Sequence, residues 1–185
     1  MVKEVQSQAK ERMQKANEAL QRDLAAIRSG RASPALIEHV RVDYYGTPMP
    51  INQLATVAVP EARLLAIQPW DRQAVALIEK AIQKSDLGLN PSSDGSVIRL
   101  VIPPLTEDRR KELVKQVHKR VEEAHVAVRN VRRDALEELK RLEHGRQISE
   151  DELHRAQEQL QKVTDSAIAE ADRLGKGKEA ELMEV

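Results

Sequence analysis

The chain has 185 residues, 41% of them hydrophobic, which suits one ordinary domain or two small ones with separate cores and argues against disorder throughout. Aromatic residues make up 2% (Trp70, Tyr44, Tyr45 and no Phe) and charged residues 32%, a balance that favours long amphipathic helices over a β-sandwich and leaves few rings for stacking on bases. Cys is absent, which excludes disulfides, thiolate zinc sites and a cysteine nucleophile and fits the cytoplasm, while the formal net charge of zero leaves any electrostatic signal to its distribution.

The amino terminus MVKEVQSQAK has no apolar signal region, and no stretch nears the roughly 18 apolar residues that span a bilayer, so a soluble, unexported protein without membrane contact is expected. Apolar residues then recur at Val2, Val5, Ala9, Met13, Ala16, Leu20, Leu24 and Ile27, an eleven-residue repeat. Its period barely drifts from 3.6, so it predicts a nearly straight helix of about 40 Å, ended by Ser29 and Gly30.

Residues 31–105 change character. They hold β-branched alternation and all eight of the chain's prolines. Strands are predicted near Ile37–Tyr44, Thr56–Val59, Arg63–Gln68 and Val97–Ile102, with turns at Gly46, Pro60-Glu61 and Asp94-Gly95. One short helix interrupts them, capped by Asp71, with Ala74, Val75, Leu77, Ile78, Ala81 and Ile82 on its buried face and Trp70 stapled onto Val75.

A second long helix is predicted from Thr106, its N-cap, to about His144, with Pro103 and Pro104 blocking helix upstream and Gly145 stopping it. Ser149 and Glu152 form a capping box for a third, with Leu153, Ala156, Leu160, Val163, Ala167, Ala171 and Leu174 on its apolar side. Gly175 and Gly177 put the end of that helix in question. Three such stripes bury one another most simply as an antiparallel bundle. The predicted fold is therefore α+β: an elongated three-helix bundle from residues 1–30 and 106–185, with a β-rich α/β domain, 31–105, inserted. The connections near 29–34 and 102–106, through Ser29, Gly30, Arg31, Pro103, Pro104, Leu105 and Thr106, are short of apolar contact and read as a hinge.

Charge is segregated along the two later helices. Arg109–Arg133 carries a balance of +6 and Asp134–Val185 one of −6. The basic half either binds a polyanion or pairs with its acidic neighbour inside the bundle. Few residues suggest chemistry. Glu122 and His125 have the spacing of one half of a di-iron motif, but both fall away from the apolar stripe, and His118 and His125 stand about 10 Å apart, so exposed histidines and no metal are expected. No G-x-x-x-x-G-K, G-x-G-x-x-G or G-x-S-x-G occurs, and no catalytic residue, enzyme activity or cofactor is predicted. The constellation that remains is Arg129-Asn130-Val131-Arg132-Arg133. Val131 points to the core, Arg129 and Arg133 share the opposite face, and Arg132 flanks the seam. Lys111, Lys115, His118 and Lys140 extend that stripe. Three guanidinium groups within five residues suit an RNA backbone, because each can bind phosphate bidentately. The alternatives are a solvated face or a helical adaptor or chaperone-like protein that docks other proteins.

The blocks SGRASPALIEHVRVDYYG, TPMPINQLATVAVPEAR, PWD, IEKAIQKSDLGLNP, IPPLTEDRRKELVK and VAVRNVRRDA, in this order, with ISEDEL and QKVTDSAI after them, closely resemble the bacterial ribosome recycling factors over essentially the whole chain. The resemblance implies an L-shaped, monomeric, non-enzymatic molecule of tRNA-like outline that enters post-termination ribosomes. It implies binding to the 23S rRNA of the large subunit across the acceptor and peptidyl sites, with no DNA partner. Elongation factor G, using GTP, would then drive separation of the subunits and release of mRNA and tRNA. Carried onto VRNVRRDA, the family's large-subunit contacts fall on Arg129, Arg132 and Arg133.

Overall fold

The computed structural model of the chain describes residues 1–184. Val185, the last residue of the range predicted for the bundle, lies outside the described residues. The protein is α+β and divides into two compact units, one from Met1–Arg28 with Thr106–Glu184 and the other from Ser29–Leu105.

The first unit is three long helices, α1 (Val2–Ala26), α3 (Glu107–His144) and α4 (Glu150–Met183). Hydrogen bonds Gln6–Gln159 and Asn17–Ala167 advance together along α1 and α4, so these two run parallel, while the pairs His118–Glu179 and His125–Asp172 show α3 running against α4. The core at one end unites Val5, Ala9 and Met13 of α1 with Val128, Val131, Ala135 and Leu139 of α3 and Ala156 and Leu160 of α4. Burying one such Leu or Val is worth about 1.5–3 kcal/mol, and that drives the helices together.

Local signals set the ends of these helices. Thr106 accepts the amide of Arg109 at the start of α3, and Ser149 and Glu152 bond reciprocally at the start of α4. Gly145 ends α3 as predicted, yet the left-handed residue of the cap is Arg146, at φ 58°. Its amide donates to Glu143 and that of Gln147 to Leu142, the double closure of a Schellman turn. Position 17 differs from the sequence reading. Asn17, not Ala16, is the buried residue there, its amide nitrogen donating to the carbonyl of Ala167. Gly175 and Gly177 do not interrupt α4. At Gly175 an added Cβ would stand 2.6 Å from Val121 Cγ2 of α3, so the missing side chain allows close approach of the two helices.

The second unit holds a two-stranded sheet, β1 (Arg41–Tyr44) with β2 (Thr47–Pro50), and a four-stranded antiparallel sheet ordered β3-β4-β6-β5. Its strands are β3 (Ala55–Glu61), β4 (Leu64–Pro69), β5 (Pro91–Ser93) and β6 (Ile98–Val101). Helix α2 (Arg72–Lys84), capped by Asp71, buries Ala74, Val75, Ile78 and Ile82 in a core with Val42, Ile51, Leu65, Ile67, Ile98 and Leu100. The predicted strand from Ile37 begins only at Arg41, because Pro34–Ile37 winds into a single 3-10 turn whose Ser33 side chain caps Ala35. Strands β2 and β5 escape a propensity reading because each carries proline, which edge strands tolerate. Trp70 is 68% exposed, its indole N–H donating to Thr56, instead of lying over Val75.

Candidate nucleic-acid interface

The rotation of α3 is fixed by Val128 and Val131, which are almost fully buried. That rotation exposes Arg129 and Arg133 and leaves Arg132 half-buried beside the seam. Three other cations of α3 are paired within the helix, Arg109 with Glu112 at 2.9 Å, Arg120 with Glu123 at 3.0 Å and Lys111 with Glu107 at 3.3 Å, while Arg110, Lys115, Lys119, Lys140 and Arg141 make no ion pair among the described residues. Arg129, Arg132 and Arg133 make no ion pair among the described residues, and Arg133 donates only to the neutral amide of Asn130 at 3.3 Å. The acid beside them, Asp134, is engaged by Arg12 of α1 at 3.0 Å. This tertiary pair keeps the neighbouring carboxylate off the arginines, and the sequence did not reveal it. Three guanidinium groups with free donors thus sit about 35 Å along α3 from Thr106, at 1.5 Å per residue.

Pairing of the basic helix with the acidic one takes a different form from that expected. The basic side chains of α3 that reach α4 are histidines, His118 to Glu179 and His125 to Asp172. His125 was expected in solvent. Instead it is 8% exposed, with Nε2 2.8 Å from Asp172 and Nδ1 3.3 Å from Glu122. A helix packed against two neighbours buries a wider arc than its own apolar stripe indicates, and α4 covers this flank. The two carboxylates lie on opposite ring nitrogens and cannot converge on one ion. No group of three His, Cys, Asp or Glu able to hold a metal is present among the described residues. None of their helices is long and apolar enough to cross a membrane.

The residues at the two chain crossings are ordered by specific contacts. Gly30 takes φ 76°, and a Cβ there would meet Leu105 Cγ at 3.2 Å, so the two ends of the inserted unit approach closely at Gly30 and Leu105. The sequence reads these connections as short of apolar contact, and Leu105 against Gly30 is one such approach. The amides of Ala32 and Ile102 both donate at 2.8 Å to the β3–β4 turn, at Ala62 and Arg63. Ser29 is buried, Pro103 and Pro104 are exposed, and Arg31 and Thr106 lie on the surface beside them.

The family profile described as Ribosome recycling factor matches residues 20–183. Relatives named ribosome-recycling factor include those of Thermomicrobium roseum (56% identical), Syntrophomonas wolfei (60%) and Geobacillus kaustophilus (61%), each over 100% of both chains. Among solved structures, a solution structure of the ribosome recycling factor is 49% identical with a TM-score of 0.73, covering 100% of this chain and 98% of its own. A second is the T. thermophilus ribosome recycling factor bound, with E. coli elongation factor G, to the E. coli post-termination complex. It is 50% identical over 99% of both chains, with a TM-score of 0.63. Full-length identity of this order, with helix caps, inserted unit and arginine cluster all accounted for, makes the chain a member of the ribosome recycling factor family.

Proposed function

We propose that this chain is a cytoplasmic, non-enzymatic, monomeric factor that binds the post-termination ribosome and, with elongation factor G and GTP, splits its subunits, freeing mRNA and tRNA. Full-length similarity to named recycling factors carries this reading. In it, Arg129, Arg132 and Arg133 engage phosphates of the large-subunit 23S rRNA, supported by the absence of carboxylate partners at all three. Arg132 contributes most. Its side chain is half-buried beside the seam, so it loses less rotamer entropy than a fully exposed arginine when its head group binds phosphate.

The inserted unit, Ser29–Leu105, acts in this reading as a second domain that elongation factor G moves against the bundle. The crossings through Ser29, Gly30, Arg31, Pro103, Pro104, Leu105 and Thr106 serve as its hinge. Gly30, at φ 76°, takes a backbone conformation that other residues rarely adopt, while Pro103 and Pro104 keep the return connection out of helix. No cofactor is required, since the partner's GTP supplies the energy.

Salt-dependent sedimentation with large subunits tests the proposal. Arg132→Gly weakens binding by about 1–3 kcal/mol, the range for a charge-assisted hydrogen bond, and lowers the slope of log affinity against log salt by about one. Helical circular dichroism stays unchanged. Wild-type affinity and salt slope in the variant refute the assignment.

A further inference from the structure

The chain has only three aromatic side chains, and all three gather on one short segment of the inserted unit. Trp70 begins that segment, the Tyr44 hydroxyl donates to Asp71 at 3.2 Å, and the Tyr45 hydroxyl donates to Gln73 at 2.5 Å. The indole N–H of Trp70 donates to Thr56 at 3.0 Å, and the rings of Tyr44 and Tyr45 meet edge to face at 4.6 Å. Trp70 is nevertheless 68% exposed and Tyr45 70%. Their polar atoms are satisfied internally, so the rings are fixed in place and offer bare faces and edges to solvent.

Tyr45 is also an expensive choice for its position. The register Tyr44↔Thr47 makes Tyr45-Gly46 a two-residue hairpin loop, and φ of 50° and 84° make it a type I′ turn. Asn, Asp or Gly suits the first position of such a turn, and a bulky side chain is disfavoured there. Strain kept at an exposed aromatic implies that the ring is used.

We propose that Tyr45 and Trp70 form the centre of a protein-docking surface whose partner presents arginine or lysine side chains. This deepens the recycling function given above and rests on it. Tyr and Trp dominate interface hot spots, and rings already immobilised lose little entropy on binding. The local charge selects the partner. Asp43, which accepts the Gly46 amide, and Asp71, which accepts the Tyr44 hydroxyl, stand at the rings, and Arg72 is the one cation adjoining the aromatic residues and these aspartates in sequence. The two carboxylates disfavour an RNA backbone and attract cationic side chains, which also bind over aromatic faces.

Two measurements on the full-length protein test the proposal. Tyr45→p-benzoylphenylalanine, irradiated on purified post-termination ribosomes with elongation factor G and GTP, yields a crosslink to a lysine- or arginine-bearing protein segment. Crosslinks to RNA alone, to a protein segment without such residues, or to nothing overturn the proposal. In the second, Tyr45→Asn relieves the turn, so urea unfolding of the inserted unit moves to higher concentration. The concentration of variant needed for half-maximal subunit splitting rises tenfold or more, as hot-spot truncation does. A more stable variant with weaker activity cannot be explained by misfolding. Trp70→Ala, with circular dichroism intact, shows the same weakening. Splitting at wild-type concentrations by both variants refutes the surface while leaving the recycling function standing, whereas failure of the wild type itself to split ribosomes refutes that function.

Discussion

Replacing Gly175 and Gly177 by Ala, one at a time, should have opposite effects two residues apart on the same helix. In an open helical position the change gains about 0.8–1 kcal/mol, because Ala loses less backbone entropy on folding. Gly177 has nothing within 4 Å of an added Cβ, so that gain is expected in full. At Gly175 the new methyl group stands 2.6 Å from Val121 Cγ2, well inside contact distance, and Val121 is itself buried. Overpacking of this kind costs about 1–3 kcal/mol. The propensity gain cancels at both sites when the two variants are compared, so Gly177→Ala should exceed Gly175→Ala in stability by that same 1–3 kcal/mol. Urea unfolding followed at 222 nm reports chiefly on the bundle, and equal slopes would show that the unfolded states match. A double-mutant cycle sharpens the test. Val121→Ala removes the colliding methyl, so it should suppress the penalty of Gly175→Ala and give a coupling of about the same size. Equal stabilisation at the two glycines, or a coupling near zero, would refute close packing of α3 and α4 at this point.

Two smaller predictions follow from backbone geometry and charge. Arg146 occupies the left-handed position of the Schellman turn, so Arg146→Gly should stabilise the bundle by about 0.5–1 kcal/mol, read as a higher urea midpoint at constant slope. In the β5–β6 turn, Asp94 accepts the amides of Val97 and Ser96, the Ser96 hydroxyl and the Arg99 guanidinium, and these bonds hold its carboxyl well below the usual range. A depressed folded pKa means that its contribution is present above the unfolded value, about 3.9, and is lost as pH falls further through the folded value. Asp94→Asn should therefore lower the stability of the inserted unit at pH 7 and flatten its acid dependence below pH 4, and an unchanged acid limb in urea titrations would count against this.

The long helices were legible because their signals are local. Thr106, the Ser149–Glu152 box and Gly145 act within a turn or two of themselves, and period alone identifies the apolar stripes. The errors fall where a second element intervenes. His125 lies off its own helix's stripe and is buried because α4 covers it, and Gly175 reads as a breaker until Val121 of α3 is seen against it. Strands β2 and β5 are proline-bearing edges held by one neighbour each, so propensity could not supply what pairing does. At the arginine cluster the residue pattern was visible, but its electrostatic isolation was not. That isolation depends on Arg12, more than a hundred residues away in sequence, occupying Asp134.

The clasp between Gly30 and Leu105 bears on how the chain folds during synthesis. Helix α1 leaves the ribosome first, but its packing partner α3 begins only after the 77 residues from Ser29 to Leu105 have been made. Held open as a flexible loop, that segment would charge its full closure entropy to the meeting of α1 with α3. Folded first, it delivers its two ends already side by side. By the logarithmic loop law, reducing 77 free residues to an effective two or three lowers that barrier by about 3 kcal/mol. The inserted unit thus serves as an assembly jig, and loosening it at Gly30 or Leu105 should slow formation of the bundle far more than it weakens the finished one.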